Sequence, residues 1–167
     1  YVVGVGRSTT LVYDEPRRLT LEVDGSFSGN LDALPDFQNI PVDVNRLGIL
    51  DAELSFSDTR KSLGAVDAET GMLWTAAAQG SLADREAFMN LRGSFDWGWA
   101  LPVNHMSIWF RQAAGFSPND RSEAFANFFF GGFGNNYVDR GNEKRYRETY
   151  SLPGAELNEI GGRNFVK

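Results

Sequence analysis

The residue types that most often carry chemistry in proteins are scarce in this chain. Its 167 residues include no cysteine and a single histidine, His105. A zinc site needs several cysteine, histidine or carboxylate ligands, and a Ser-His-Asp triad needs a histidine that a second residue orients. Because His105 follows Pro102-Val103-Asn104 in a predicted tight turn and has no His or Cys partner, we expect neither site, and no cofactor.

Two further patterns have the outline of a catalytic or phosphate-binding site. Residues 4–9 (GVGRST) are glycine-rich, but they lack a third glycine or a Gly-Lys-Ser/Thr ending, and no predicted helix follows them. The carboxylates of Glu22 and Asp24 resemble a glycosidase pair, yet such pairs are common on any polar strand face. We therefore predict that the protein is not an enzyme.

Composition narrows the class of protein further. The chain carries 18 Gly with 13 Phe, 5 Tyr and 4 Trp, a mixture that favours β structure. Its formal net charge of −6 argues against nucleic acid as a partner, because phosphate binding needs a concentrated basic face. No run of about 18 apolar residues is present, which excludes a transmembrane helix but not a transmembrane strand.

A two-residue alternation of apolar and polar side chains runs through most of the chain and predicts strands. It is clearest at 19–28, where Leu19, Leu21 and Val23 alternate with polar neighbours. The predicted strands are 1–13, 19–28, 47–57, 72–82, 87–101, 106–117 and 125–130. An eighth at 144–150 stays open, 163–167 reads as the start of another strand, and 29–46 has no assignment.

Strand length distinguishes two all-β interpretations. Strands of a soluble sandwich usually run about 5–6 residues. About ten residues, tilted by about 45°, span the roughly 25 Å hydrocarbon layer of an outer membrane. We therefore predict an antiparallel transmembrane β-barrel of outer-membrane type, with 1–167 forming about 7–8 strands of one larger barrel domain. The expected location is the bacterial outer membrane, and the expected partner is its lipid.

Both faces of the predicted strands fit this interpretation. Charges of both signs at mid-strand are expected to face a wet lumen and to pair across strands: Glu22, Asp24, Asp51, Glu53, Arg92, Asp96 and Arg111. Aromatic residues near strand ends, on the apolar side, are expected to form girdles at the membrane interfaces: Tyr13, Phe27, Trp74, Trp97 and Trp99. In a sandwich the same charges would be solvated and the aromatics would form a core.

Two motifs in the last quarter of the chain carry a family resemblance. Residues 124–132 (AFANFFFGG) resemble the strand and glycine pair that precede the long lumen-inserted loop of the BamA-like superfamily, the bacterial surface antigen barrels. Residues 158–164 (NEIGGRN) are similar to the second glycine pair, from which that family's next strand departs. A looser resemblance, on FGGFGNN and RYRETYSLPG, is to barrel regions that follow a TolB-type propeller.

The resemblance implies a function and a special role for residues 131–163. Members act in outer-membrane protein insertion or translocation, or as structural surface barrels, so client polypeptides or other envelope proteins become expected partners. It implies a long lumen-associated loop at 131–163, and further strands outside this chain. Residues expected in that role are Gly131, Gly132, Arg145, Arg147, Gly154, Gly161, Gly162 and Arg163. The family's Ile/Val-Arg-Gly-Phe/Tyr tetrad is missing, so no single docking arginine is assigned.

Two alternatives remain open from the sequence. One is a soluble β-sandwich or lipocalin-like module that binds a sugar or a small apolar ligand through Trp97, Trp99 and Trp109. The other is a closed barrel of eight strands, which the chain length allows.

Overall fold

The computed structural model describes residues 1–134, 136–139 and 148–167, and its main element is a seven-stranded antiparallel sheet. The strands are β1 (Val2–Asp14), β2 (Arg17–Gly29), β3 (Arg46–Arg60), β4 (Thr70–Ala83), β5 (Glu86–Ala100), β6 (Ser107–Phe116), β7 (Phe128–Phe130), β8 (Ile160–Gly162) and β9 (Asn164–Val166). The order in the sheet is β1-β2-β3-β4-β5-β6-β9, while β7 and β8 pair separately. Short 3₁₀ helices lie at Asp36–Gln38 and Ala124–Ala126.

The all-β, antiparallel prediction is confirmed. The first six strands form a meander in which each strand pairs with the next, and they contain between 10 and 15 residues. Residues 163–167 do begin a strand, since β9 pairs with the end of β6. The sheet is not closed, because β1 and β9 are its two edges and do not pair with each other.

Cross-strand pairing sorts the side chains onto two faces. The polar face contains Glu22, Glu53 and Ala77, which stand opposite one another on β2, β3 and β4. The apolar face contains Leu21 opposite Leu54, and it continues across β4, β5 and β6. Successive side chains of a strand point to opposite faces of the sheet. Each of the six predicted alternations therefore places every second residue of its strand on the same face.

A bulge in β1 changes the face of one predicted residue. The register of β1 against β2 shifts between Thr10 and Val12, so that Tyr13 stands opposite Arg18. Even-numbered residues of β2 lie on the polar face, and therefore Tyr13 does too, although simple alternation had grouped it with the apolar side chains. One inserted residue is enough to move every later side chain to the other face.

The predicted strand at 125–130 is wrong in length and in place. Its first part is the 3₁₀ helix Ala124–Ala126, and only β7 is extended. Phe125, Phe128 and Phe129 are all buried, so this segment has apolar contacts on both sides and no solvent-facing row to alternate with. Of the open eighth strand, 144–147 lie outside the described residues, and Tyr150 lies in a turn.

The core lies at one end of the sheet, between the polar face and two chain segments that fold onto it. One segment is the β2–β3 connection at 30–45, and the other is residues 117–163. We call the described residues of 117–163 the covering segment, and this end the covered end. Phe88 of β5 stacks on Phe125 of the covering segment with ring centroids 5.9 Å apart. The buried cluster comprises Ile40, Leu47, Ile49, Ala83, Phe88, Phe125, Ala126, Phe129 and Val138. These contacts attach the covering segment to the sheet.

Removing one core ring should weaken that attachment. We expect Phe129→Ala to lower the free energy of unfolding by about 3–5 kcal/mol, because Phe129 is 8% exposed and its loss leaves a cavity. The matched control is Phe133→Ala, whose ring is 63% exposed and should matter by no more than about 0.5 kcal/mol. Guanidinium titration followed by circular dichroism measures both; equal effects would contradict this description of the core.

Candidate functional site

The apolar face of the sheet is the most unusual surface of the molecule. Large apolar side chains on this face are exposed in every long strand: Val3, Val5, Val23, Phe27, Leu50, Met72, Leu82, Met89, Leu91, Phe95, Trp97, Trp99, Ile108, Phe110 and Phe116. No element of the described chain packs a second layer against them. Exposed apolar patches larger than a few hundred Å² are rare in soluble monomers, so this face is the candidate surface for contact with a membrane or with another protein.

The length of the apolar rows is nearly the same from strand to strand. On β4 the row runs from Met72 to Leu82, and on β5 from Met89 to Trp99. Each row therefore covers about eleven residues, within the range of a strand that crosses a membrane. The small residues in the middle, such as Ala76 and Ala78, remain on the same face.

Aromatic side chains gather toward the ends of these rows. Trp97 and Trp99 lie together with ring centroids 4.2 Å apart, at the end of the sheet away from the covered end. Trp74 stacks on Phe56 at 5.6 Å in the neighbouring strands. The opposite end has Phe27, 6.4 Å from the ring of Tyr1. The structure thus places four of the five predicted girdle residues on the apolar face, with Tyr13 on the other.

Three polar side chains interrupt the apolar face. Arg7 and Thr9 on the edge strand β1 stand opposite Val23 and Leu21, and Gln112 on β6 stands opposite Phe95. Arg7 and Gln112 have long, flexible side chains that extend their polar groups away from the backbone. The interruption is confined to β1 and β6, whereas the rows on β3, β4 and β5 stay apolar between their ends.

The polar face holds ion pairs between strands. The guanidinium of Arg92 on β5 lies 2.8 Å from Asp51 Oδ1 and 3.6 Å from Glu53 Oε2, both on β3. It reaches over the intervening β4 because Ala77, its direct neighbour there, has a small side chain. Farther along the sheet, Arg111 Nε lies 3.5 Å from Asp96 Oδ2.

The other predicted lumen charges have a different arrangement. Glu22 stands opposite Glu53, and Asp24 opposite Asp51, so β2 and β3 bring four carboxylates together. Glu22 and Asp24 form no ion pair within the described residues. Arg163, one of the residues expected in the lumen-associated loop, donates to the backbone carbonyl of Asn119 at 2.8 Å. Arg145 and Arg147 lie outside the described residues.

The two glycine-pair motifs meet in space. Pairing of β7 with β8 sets Phe129 opposite Gly161 and Phe128 opposite Gly162. A Cβ on Gly131 would collide with the backbone of Glu156 and Asn158, and one on Gly132 with the carbonyl of Ala155. Close backbone approach therefore explains the first pair, and positive φ (+94°) applies to Gly154.

Sequence reasoning missed the aromatic cluster that closes the covering segment over the polar face. Phe128, Phe130, Tyr150 and Phe165 contact one another with ring centroids 5.0 to 6.3 Å apart. Tyr150 also lines a cavity of about 360 Å³ with Glu53 and Arg92. Burial raises the pKa of Tyr150 from 10 to about 12, although the charge of Arg92 lowers it. Alternation carries no signal for this cluster, because its rings come from three separate segments.

A second polar cluster joins two connections at the opposite end. His105 Nδ1 lies 3.3 Å from Glu69 Oε1 and 3.4 Å from the Ser62 hydroxyl. The Ser62 hydroxyl, then its backbone N–H, and then His105 hold the pKa of Glu69 below its usual value. Since both partners of His105 use one ring nitrogen, the three residues form a clasp between loops and not a nucleophile relay. Trp109 strengthens this end by donating to the Ala68 carbonyl at 3.2 Å.

Comparisons with protein-family models, with curated proteins and with solved structures found no match to this chain. The BamA-like resemblance therefore rests on the two quoted motifs alone. Among the described residues, neither helix has the length and apolar character needed to cross a membrane. Likewise, His and carboxylate side chains form no group of three that would hold a metal ion in the described part of the chain.

The Arg92 ion pairs should stabilise the sheet more than the Arg111 pair. We expect Arg92→Met to cost about 1–3 kcal/mol, because it leaves Asp51 and Glu53 without their counter-ion at a partly buried position. Arg111→Met should cost no more than about 1 kcal/mol, since 53% of the Arg111 side chain is exposed. Denaturant unfolding of both variants checks the order, and a larger loss at Arg111 would contradict it.

Alkaline pH should release the Tyr150 contact. A raised pKa means that the folded state favours the neutral phenol, so this stability is present below pH 10 and is lost as the pH rises toward 12. A rise of this size corresponds to about 3 kcal/mol. Tyr150→Phe should lose less stability than the native chain across this window. Tyr1→Phe, whose parent ring is 72% exposed, should match the native chain; identical curves for all three would show that Tyr150 is not buried.

Proposed function

We propose that this chain forms part of the wall of a β-barrel in the bacterial outer membrane. The apolar face lies against lipid, and the polar face lines the interior. The exposed apolar face carries this proposal, because a predominantly apolar surface across six strands is unstable in water and favourable in hydrocarbon.

The dimensions of the apolar face support a membrane location. About eleven residues at about 3.3 Å each, tilted by about 45°, span roughly 25 Å, the height of the apolar band of outer-membrane barrels. Aromatic residues such as Trp97 and Trp99 lie near one boundary, with Tyr1 and Phe27 near the other. Antiparallel neighbours on both sides also satisfy the backbone hydrogen bonds of β2, β3, β4 and β5, as lipid requires.

The covering segment determines whether a solute or polypeptide could pass through such a barrel. It packs on the polar face through the core cluster at Phe125 and Phe129, and through the rings of Phe128, Tyr150 and Phe165. In the proposed barrel these contacts make the segment a seated plug, so a solute or polypeptide can pass this part of the interior only after the segment moves.

Two narrower functions belong to this proposal. Insertion or translocation of other polypeptides is supported by the resemblance of residues 124–132 and 158–164 to the BamA-like superfamily. A structural surface barrel is supported by the extent of the contacts that hold the covering segment. The soluble sandwich fits less well, because the described residues provide no second sheet for the apolar face. Trp109 also lies on the polar face, away from Trp97 and Trp99.

Neighbouring residues on β2 provide the test. The chain has no cysteine, so single cysteines introduced by Val23→Cys and Asp24→Cys report on opposite faces without background labelling. In outer membranes, we expect a water-soluble maleimide to modify the cysteine at 24 at least about tenfold faster than the one at 23, because only the polar face meets water.

The same pair of variants contains its own control. In denaturant both cysteines should react at equal rates, which confirms equal intrinsic reactivity. Equal rates in the membrane-embedded, folded protein would rule out lipid contact at Val23 and with it the proposed barrel.

A further inference from the structure

A cavity on the polar face, at the margin of the covering segment, has no part in the function proposed above. Its volume is about 360 Å³, near the lower end of the range of about 300–1,000 Å³ that small-molecule sites occupy. Its lining comes from β3, β4, β5 and β6, from residues 148–150 of the covering segment, and from Phe165 of β9. Apart from Ala113, these residues are all partly exposed, so a solute can reach them.

The lining offers hydrogen-bond donors that the chain itself leaves unused. Arg92 Nη2 contacts Asp51 and Glu53, whereas Arg92 Nε and Nη1 have no partner among the described residues. The Tyr150 hydroxyl has no hydrogen-bond partner in that part of the chain either. Because burial raises the pKa of Tyr150 to about 12, the phenol keeps its proton at neutral pH and can donate it.

Acceptors lie among these donors. Glu53 Oε2 is 3.6 Å from Arg92 Nη2, which is too long for a hydrogen bond, so the carboxylate can still accept one. The carboxylate of Glu148 forms no ion pair and no hydrogen bond within the described residues. The hydroxyls of Thr75 and Ser94 lie 2.8 Å apart and share one proton, which leaves the other free to donate. The cavity therefore suits a ligand that both donates and accepts.

Charge and shape narrow the class of ligand. An anion would lie beside the carboxylates of Glu53 and Glu148, and a cation beside the guanidinium of Arg92, so neither sign fits the whole lining. The rings of Tyr150 and Phe165, whose centroids are 5.6 Å apart, add an apolar surface. A sugar ring is neutral, carries hydroxyls that donate and accept, and presents a C–H face that packs on aromatic rings.

We propose that this cavity binds one neutral sugar ring of hexose size. Hydroxyls of the sugar accept from Arg92 and Tyr150 and donate to Glu53 and Glu148, while the C–H face lies against Phe165. Because such a ligand contacts both the sheet and the covering segment, it binds only while that segment is in place. The inference does not depend on lipid contact at the apolar face, because the cavity lies on the other side of the sheet.

The test titrates D-glucose into the folded, full chain and follows the sugar by ligand-observed NMR. The detergent must have no sugar headgroup, so that it does not compete. We expect saturable binding with a Kd on the order of 1 mM, because a small ligand gains only a few hydrogen bonds beyond the cost of immobilising it. Absence of saturable binding would overturn the proposal.

Two conservative variants locate the sugar. Tyr150→Phe keeps the ring and removes only the hydroxyl, and Glu148→Gln replaces a carboxylate that has no partner within the described residues. Each should raise the Kd about threefold to tenfold, the equivalent of one hydrogen bond. Circular dichroism checks that both variants fold. If neither variant changes the Kd, the sugar binds elsewhere and the proposal fails.

The matched controls remove the same groups outside the cavity. Tyr13→Phe removes a phenol hydroxyl at the far end of the polar face, and Glu86→Gln removes an exposed carboxylate in the β4–β5 turn. Both should leave the Kd within about twofold of the native value. Weakening in the controls as large as in the cavity variants would mean loose association with the surface, and this would contradict the proposed site.

Three further probes decide what the cavity recognises. Tetrahydropyran-2-methanol has the same ring with a single hydroxyl, so it should bind at least about tenfold more weakly than glucose. Acetate and methylammonium should not bind measurably, because each meets a like charge in the lining. If the ring with one hydroxyl, or either ion, binds as tightly as glucose, the cavity is not a sugar site. The maleimide test on β2 is separate, so either proposal can fail without the other.

Discussion

The exposed apolar face is the constraint on which the rest of this structure depends. A sheet is stable only if each face finds a suitable environment, and here the two faces differ completely. The polar face receives the covering segment and its aromatic rings, while the apolar face receives nothing from the described chain. The sheet therefore cannot build an ordinary two-layer core, and its small buried cluster lies at one end. Whatever surrounds the apolar face must supply most of the burial that a soluble domain of this size obtains internally.

Arg92 shows how short-range geometry can hold the charges of a polar sheet face together. The small side chain of Ala77 leaves a gap on β4 through which the guanidinium reaches Asp51 and Glu53. Without this pair, the carboxylates that stand opposite one another on β2 and β3 would repel with no cation close by. Tyr150 lies beside these residues and lines one cavity with Arg92 and Glu53. Among the described residues, Arg92 and Arg111, both within the sheet, are the cations that pair with carboxylates of the polar face.

The sequence predicted the fold wherever a strand has one apolar row and one polar row of side chains. Alternation found the six long strands, because each has one apolar and one polar row. It failed at Phe125 and Phe129, which are buried on both sides. It also failed at Tyr13, because the face of Tyr13 depends on a β-bulge that no residue type in the sequence indicates. Trp109 broke the pattern of β6 because it contacts Ala68 on the polar side. Ion-pair partners were beyond prediction too, since they depend on register and on the size of intervening residues such as Ala77.

The contacts of β9 couple the covering segment to the sheet mechanically. The backbone of Lys167 exchanges hydrogen bonds with Ala113 of β6, while its ammonium group donates to the carbonyls of Thr149 and Ser151 in the covering segment. Phe165, on the same strand, packs against Tyr150. A force that peels β9 from β6 must therefore also break the contacts that hold Tyr150 in place. Tension applied to this edge of the sheet is therefore transmitted through β9 to the covering segment.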